Sequence, residues 1–273
     1  MSKKKRPPIP HYDMPIIETH CHLDYLKEQS FEETLQQASA VGVERFVTIA
    51  VDPGNLATVR AMTERDARVY GTQGIHPHEA DHYNDEVERE IRQGLTLDKV
   101  VAVGEIGLDY FYDHSDRDQQ RRVFERQLQI AAEFDLPVVI HTREADEDTR
   151  AILKNALPAM KQRGVIHSFT SGLALAEYCL SEGFCLGFNG ICTFNRADNV
   201  REVVGATPLD QTLLETDAPF LTPAPYRGKE NAPKYLPFVA DKVAEVHGVT
   251  VNEVLTTAYA NSQRVFFSAE STM

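Results

Sequence analysis

Two histidines one residue apart, His20 and His22, stand in Glu18-Thr19-His20-Cys21-His22-Leu23-Asp24, directly after the apolar run 14–17. On an extended strand alternate side chains share a face, so both imidazoles project the same way from Cα atoms roughly 6.5–7 Å apart, within reach of one cation. Cys21 points to the other face, toward a covering helix. By itself the pair is as consistent with hydrogen-bonded or surface histidines as with a metal. Four further residues share its placement: Glu105 after 100–104, His141 after 136–140, His167 after 165–166, and Asp217 after 212–216. Imidazole suits zinc and other transition metals, whereas carboxylate oxygen also takes magnesium and manganese, so the mixture leaves the metal's identity open. Six protein ligands exceed what one catalytic zinc accepts while keeping a position free. Two divalent ions sharing a bridging carboxylate would use all six. About 3.5–4 Å apart, such ions lower the pKa of a water and clamp the attacking and leaving oxygens of an in-line displacement.

Scattered residues meet only if the elements between them bring them to one rim. Short β-branched runs at 14–18, 45–50, 69–74, 99–104, 136–140, 164–167, 184–188 and 212–216 read as strands. Between them lie amphipathic segments such as 118–134, where Val123, Phe124, Leu128, Ala131 and Phe134 recur at helical spacing before Asp135-Leu136-Pro137 stops the helix. Eight strand-and-helix units in about 250 residues is the arithmetic of a (β/α)8 TIM barrel. The six residues then follow strands one, four, five, six and eight, at the rim where barrels place their chemistry. Near the end, Pro233 begins one helix, Gly248 closes it, and Thr250 with Glu253 has the form of a capping box for an extra C-terminal helix. The expected organisation is a disordered basic leader (1–13), a single barrel domain (14–267) and a short tail (268–273).

The composition, 42% apolar with no run near the ~18 residues of a membrane span, describes a soluble, cytoplasmic protein with no membrane partner. Four cysteines without close pairing are expected as reduced thiols. A formal charge of -13 argues against gripping long duplex nucleic acid through a broad basic face, because that affinity comes from Lys and Arg displacing counterions. An enzyme acting on a strand end still fits, since two divalent ions would supply local positive charge. Lys3-Lys4-Lys5-Arg6, followed by two prolines, reads as solvated leader rather than as a tether.

Over 14–267 the chain resembles the TatD family of metal-dependent deoxyribonucleases, within the amidohydrolase-like barrel superfamily. The blocks that carry the resemblance are Thr19-His20-Cys21-His22-Leu23-Asp24, Gly74-Ile75-His76-Pro77-His78, Gly104-Glu105-Ile106-Gly107-Leu108-Asp109-Tyr110, Ile140-His141-Thr142-Arg143-Glu144-Ala145, Leu214-Glu215-Thr216-Asp217-Ala218-Pro219 and Pro225-Tyr226-Arg227-Gly228-Lys229. The resemblance implies His20, His22 and Asp217 on one ion, His141 and His167 on a second, Glu105 bridging, and Asp217 taking the proton of the attacking water. It also sets His76, Arg143 and Arg227 toward substrate, the arginines on phosphate oxygens. A salt bridge for Arg143 and an exposed turn for His78 are equal alternatives, and Tyr110 is either a stacking wall or core. The family's usual Asp before Thr-His is Glu18 here, longer by a methylene and a candidate for orienting a ligand histidine. After strand six, His167-Ser168-Phe169 departs from the family's more frequent cysteine and serine, leaving the ligands intact.

The implied activity is a 3′-5′ exodeoxyribonuclease on single strands or ends, with DNA as substrate, two divalent ions (Mg, Mn or Zn) and a monomer as the favoured state. The alternative within the same superfamily is hydrolysis of small amides, lactones or esters; a metal-stabilised scaffold protein is a third reading. The acidic surface makes its own prediction for DNA: log K should fall with log salt with a shallow slope, on the order of one to three released counterions, measured by fluorescence anisotropy. A slope like that of a broad-faced DNA binder would refute it.

Overall fold

The computed structural model describes residues 6–268. Eight strands, β1 (Ile16–Cys21), β2 (Val43–Thr48), β3 (Val69–Gln73), β4 (Val100–Asp109), β5 (Val138–Arg143), β6 (Gly164–Ile166), β7 (Cys185–Phe188) and β8 (Thr212–Leu214), pair in parallel in chain order. Helices α1 (Phe31–Ser39), α2 (Leu56–Arg65), α3 (Asp85–Gly94), α4 (Arg117–Phe134), α5 (Asp146–Ala156), α6 (Leu173–Ser181), α7 (Asp198–Ala206) and α8 (Leu236–His247) alternate with them, and α9 (Val251–Phe266) follows. This is the expected (β/α)8 barrel with its extra C-terminal helix. Closure is made at β1 and β8, where the His22 amide donates to the Ala218 carbonyl (2.8 Å) and the Asp217 amide to the His20 carbonyl (2.9 Å).

Side-chain alternation splits the core in two. Ile16, Cys21, Val43 and Phe46 belong to the apolar layer shared with the helices, as expected for Cys21. Ile17, Val47, Val101, Val139, Val165 and Leu213 face the barrel interior, where Phe266 and Phe267 at the end of α9 join them. The extra helix therefore contributes to the barrel's own filling. Local signals set the helix ends: Asp116 accepts from the amides of Asp118 and Gln119 at the start of α4, Asp135 ends it in the left-handed region, Gly248 does so for α8, and Thr250 caps α9.

The strands differ from expectation where they matter for the site. Strand β1 continues through Thr19, His20 and Cys21 because it is bonded on both sides, and β4 runs to Asp109, beyond the expected end at 104. Glu105 and His141 consequently sit within strands rather than after them, because β4 and β5 stay paired through Gly107↔His141 and Asp109↔Arg143. Of the basic leader, Lys3, Lys4 and Lys5 lie outside the described residues, as does 269–273 of the tail. Residues 6–13 have neither helix nor strand, yet they are not free: the Tyr226 hydroxyl donates to the Pro7 carbonyl (2.8 Å) and the Tyr12 hydroxyl to Asp241. The four cysteines are buried and unbridged. Among the described residues no helix is long and apolar enough to cross a membrane.

The long β4–β5 pairing requires close approach at Gly107, whose φ is +139° and where an added Cβ would lie 1.9 Å from the His141 carbonyl oxygen. Gly107→Ala should cost about 2–4 kcal/mol in urea unfolding, from overpacking plus a backbone region closed to other residues. Gly228→Ala, at positive φ with no atom within 4 Å of the added carbon, should cost only about 1–2 kcal/mol. Equal losses at the two positions would show that the β4–β5 approach is not tight.

Candidate metal centre

At the mouth, side chains from β1, β4, β5 and the segments after β3, β6 and β8 converge around the buried carboxylate of Glu105. Its Oε1 lies 2.8 Å from His167 Nε2, 3.2 Å from His141 Nδ1 and 3.4 Å from His76 Nε2, and its Oε2 lies 3.4 Å from His20 Nε2. Asp217 Oδ1 is 3.3 Å from His22 Nε2 and 3.6 Å from His20 Nε2. The ring of His20 stacks on that of His167 with centroids 3.8 Å apart, turning both Nε2 atoms toward Glu105. All six expected ligand residues are thus brought together.

The donor set fits a divalent cation. His20 Nδ1 and Nε2 and His167 Nδ1 and Nε2 are buried without a hydrogen bond, although Glu105 is close to both Nε2 atoms. Short separation without hydrogen-bond alignment is what donors aimed at a common centre produce, and buried polar atoms are otherwise costly. His20, His22 and Asp217 offer one group of ligand atoms within 4.8 Å of one another, and His20, Glu105 and His167 a second. His76, Glu105 and His141 meet the same distance criterion, but His76 Nδ1 accepts from the His78 amide (3.1 Å). In the neutral ring the proton is therefore on Nε2, which makes His76 a donor toward the cavity rather than a ligand.

The surroundings also fix the tautomer of His141. His141 gives Nε2 to Asp109 Oδ2 (2.9 Å), leaving Nδ1 for the centre. His167 places Nδ1 3.4 Å from Glu215 Oε1 and Nε2 2.8 Å from Glu105 Oε1, neither aligned as a hydrogen bond. Burial pushes the Glu105 carboxyl up, but the imidazoles of His167, His76 and His141 more than reverse this and hold it well below the ordinary range. For Asp217 the hydrogen bond with His22 likewise overcomes burial and lowers it. Burial opposes protonation of His167, yet Glu105 and Glu215 raise it well above its usual value; His20 is lowered by burial and by His167. Without metal this is a cluster of ionised carboxylates that draws protons onto selected imidazoles. A cation would displace those protons.

A cavity of about 750 Å³ opens over the cluster, bounded by Asp52 and Glu79 on one side and by Ile191, Phe194, Phe220 and Leu221 on another. His76 and Arg143 reach it as expected. Arg143 has no salt bridge among the described residues; its guanidinium lies 3.9 Å from the centroid of the Phe111 ring. Arg227 does not reach the cavity: it rests 3.9 Å from the Phe194 centroid and lines an adjoining depression with Arg196. Tyr110 does not reach it either, because its hydroxyl donates to Asp148 (2.5 Å) and its ring lies under Arg117. His78 is only partly exposed, its Nε2 3.1 Å from Asp109 Oδ2. Glu18 touches no imidazole; its Oε1 accepts from the amides of Thr216 (2.9 Å) and His20 (3.2 Å), and burial pushes its carboxyl up to about 8.

Sequence reasoning missed Asp109, Glu215 and Asn189, whose amide donates to Glu215 (3.1 Å). Asp109 stands at strand period from Glu105, and Glu215 is two residues before Asp217, so the alternation used for His20 and His22 signals both. If Asp109 orients His141, Asp109→Asn should weaken metal affinity about 10–100-fold in chelator competition. Unaltered affinity would show that His141 needs no such partner.

Comparison with known proteins bears on this geometry. The family model described as TatD related DNase matches residues 17–267. An uncharacterized metal-dependent hydrolase of Bacillus subtilis, YabD, is 38% identical over 252 residues, covering 92% of this chain and 98% of that protein. A 3′-5′ ssDNA/RNA exonuclease TatD of Erwinia amylovora is 40% identical over 202 residues, 72% of this chain and 78% of the other. The crystal structure of YjjV, a TatD homologue of Escherichia coli K12, superposes with a TM-score of 0.86 at 32% identity, over 92% of this chain and 97% of that one.

Proposed function

Because the chain belongs to the TatD-related DNase family and is a metal-dependent hydrolase acting on ester bonds, we propose that it removes nucleotides from the 3′ end of DNA strands. The observation that carries this reading is the set of unpaired imidazole nitrogens aimed at Glu105 beneath an open cavity. The name of the Erwinia amylovora relative, which includes single-stranded DNA and RNA, supports the substrate class.

In this proposal His20, His22 and Asp217 would hold one divalent ion, His141 and His167 a second, and both would share Glu105; magnesium, manganese and zinc all suit the mixed donors. When bound, the ions supply a water of lowered pKa and neutralise charge on the phosphoryl oxygens. Asp217, ionised and lining the cavity, accepts a proton of the attacking water. His76 presents Nε2–H to a nonbridging phosphate oxygen, its Nδ1 being occupied by the His78 amide. Arg143, held by an aromatic ring rather than a carboxylate, keeps its donors for phosphate. Arg227 acts one step out along the strand, beyond Phe194. The water oxygen bonds to phosphorus as the P–O3′ bond breaks and O3′ takes a proton from solvent, releasing a 5′-mononucleotide and a shortened strand with a 3′-hydroxyl.

The test is hydrolysis of end-labelled single-stranded DNA, duplex DNA and RNA by chelated protein resupplied with each metal, beside small ester and lactone substrates. Sequential release from the 3′ end is expected, with Glu105→Ala lowering kcat/KM on the order of 10²–10³-fold or more while circular dichroism stays unchanged. Turnover of lactones or esters with no release from any nucleic acid would overturn the reading.

A further inference from the structure

Among the described residues four large apolar side chains are exposed, and their distribution is uneven: Leu97 lies before β4, at the far end of the barrel, whereas Phe111, Tyr112 and Phe220 lie after β4 and β8, at the mouth. Strands β4 and β8 are four places apart in a ring of eight, so Tyr112 and Phe220 stand on opposite sides of the cavity that both line. Each is 51% exposed. Neither is on a loose loop. The Phe220 amide donates to the Asp217 carbonyl (2.9 Å), Asn231 Nδ2 donates to the Phe220 carbonyl (2.5 Å), and the ring sits 6.0 Å from that of His22. The Tyr112 amide donates to Asp109 Oδ1 (2.9 Å), the same carboxylate that holds His141, and Arg143 braces its ring at 4.9 Å. Both rings are thus fastened to the segments that carry the metal-centre residues.

Exposing a large aromatic side chain forgoes the gain of burying it, and the barrel elsewhere hides its rings. Resting on the nuclease reading above, we propose that Tyr112 and Phe220 are stacking surfaces for the two unpaired bases on either side of the scissile phosphate, and that they select frayed or single-stranded ends. Every base has a π-face, so stacking tolerates any sequence, whereas bases within a duplex are already stacked and paired. A chain with formal charge -13 has little phosphate attraction to spend on ground-state binding. Two rings held at fixed positions across a cationic centre supply that binding without charge.

The experiment measures kcat/KM on single-stranded oligonucleotides that are intact, abasic at the 3′-terminal nucleotide, abasic at the penultimate one, or abasic throughout. Wild type is compared with Tyr112→Leu and Phe220→Leu, which keep apolar bulk and remove the ring, and with the corresponding alanine variants. Each single abasic position should cost wild type about 5- to 150-fold, the range corresponding to one lost base–aromatic stack. Each variant should lose a similar factor on intact DNA and become insensitive to one abasic position, a different one for each ring. On the fully abasic oligomer the ratio of wild type to variant should fall to about one. Equal wild-type kcat/KM on intact and abasic DNA, as expected if these rings instead dock a protein, would overturn the proposal while leaving the nuclease reading intact. So would variants that lose as much on the fully abasic oligomer as on DNA. No cleavage of any oligomer in any metal would refute the nuclease reading itself.

Discussion

Closing the barrel and assembling the candidate metal centre depend on one set of hydrogen bonds. The seam between β1 and β8 is held by backbone bonds from His22 to Ala218 and from Asp217 to His20, so the residues that shut the sheet are the expected ligands themselves. Thr19 adds a hydroxyl bond to the Leu214 carbonyl (2.9 Å), and Glu18 spans the seam through the Thr216 amide. A parallel barrel has no hairpin to fix the register of its first strand against its last. Side chains that read the partner's backbone therefore set it, and a slip of one residue would turn His20 and His22 into the helix layer. Burying Glu18 with one oxygen unpaired is expensive in isolation. Its two amide bonds are what offset that cost, and they lie within two residues of three expected ligands.

The charge arrangement follows from the same convergence. His141 stands between Glu105 and Asp109, and His167 between Glu105 and Glu215, so the imidazoles bridge neighbouring acids by holding protons or a cation. Whichever is bound, the positive charge stabilises the folded chain relative to an unfolded one in which the carboxylates are far apart. Metal affinity and fold stability are then two readings of one equilibrium. The stacked pair His20 and His167 marks where protons are a poor substitute: two rings 3.8 Å apart cannot both be charged cheaply, whereas as metal ligands both would be neutral.

What could be read from the chain beforehand was whatever depends on strand alternation. The His20 and His22 pair, the eight strands and the rim positions of Glu105, His141, His167 and Asp217 follow from a period of two and from the length of each βα unit. The same period holds Asp109 and Glu215, yet a carboxylate at strand spacing is not distinctive until a histidine is seen opposite it. Strand β4 is longer than its apolar run because pairing with β5 continues through Gly107, and the acids and glycine that interrupt Ile106 and Leu108 conceal such pairing. Arg227 and Tyr110 lie outside the cavity for a reason no local pattern carries: Phe194, from the loop after β7, and Asp148, in the first turn of α5, capture them.

Acids and rings both hold arginines in this fold. Around the barrel Arg60 meets Glu90, Arg68 meets Asp66, Arg121 meets Asp148 and Arg126 meets Glu88, while Arg45 and Arg150 lie over aromatic rings. At the mouth Arg143 and Arg227 lie against Phe111 and Phe194, with no carboxylate partner among the described residues. An aromatic face orients a guanidinium without filling its hydrogen-bond donors, whereas a carboxylate does both. In a chain of formal charge -13, Arg143 lines the same cavity as Glu105 and Asp217 yet is held by a ring in place of a counter-charge. The Phe111 ring thus serves the electrostatics as well as the shape, because it orients this cation without neutralising it.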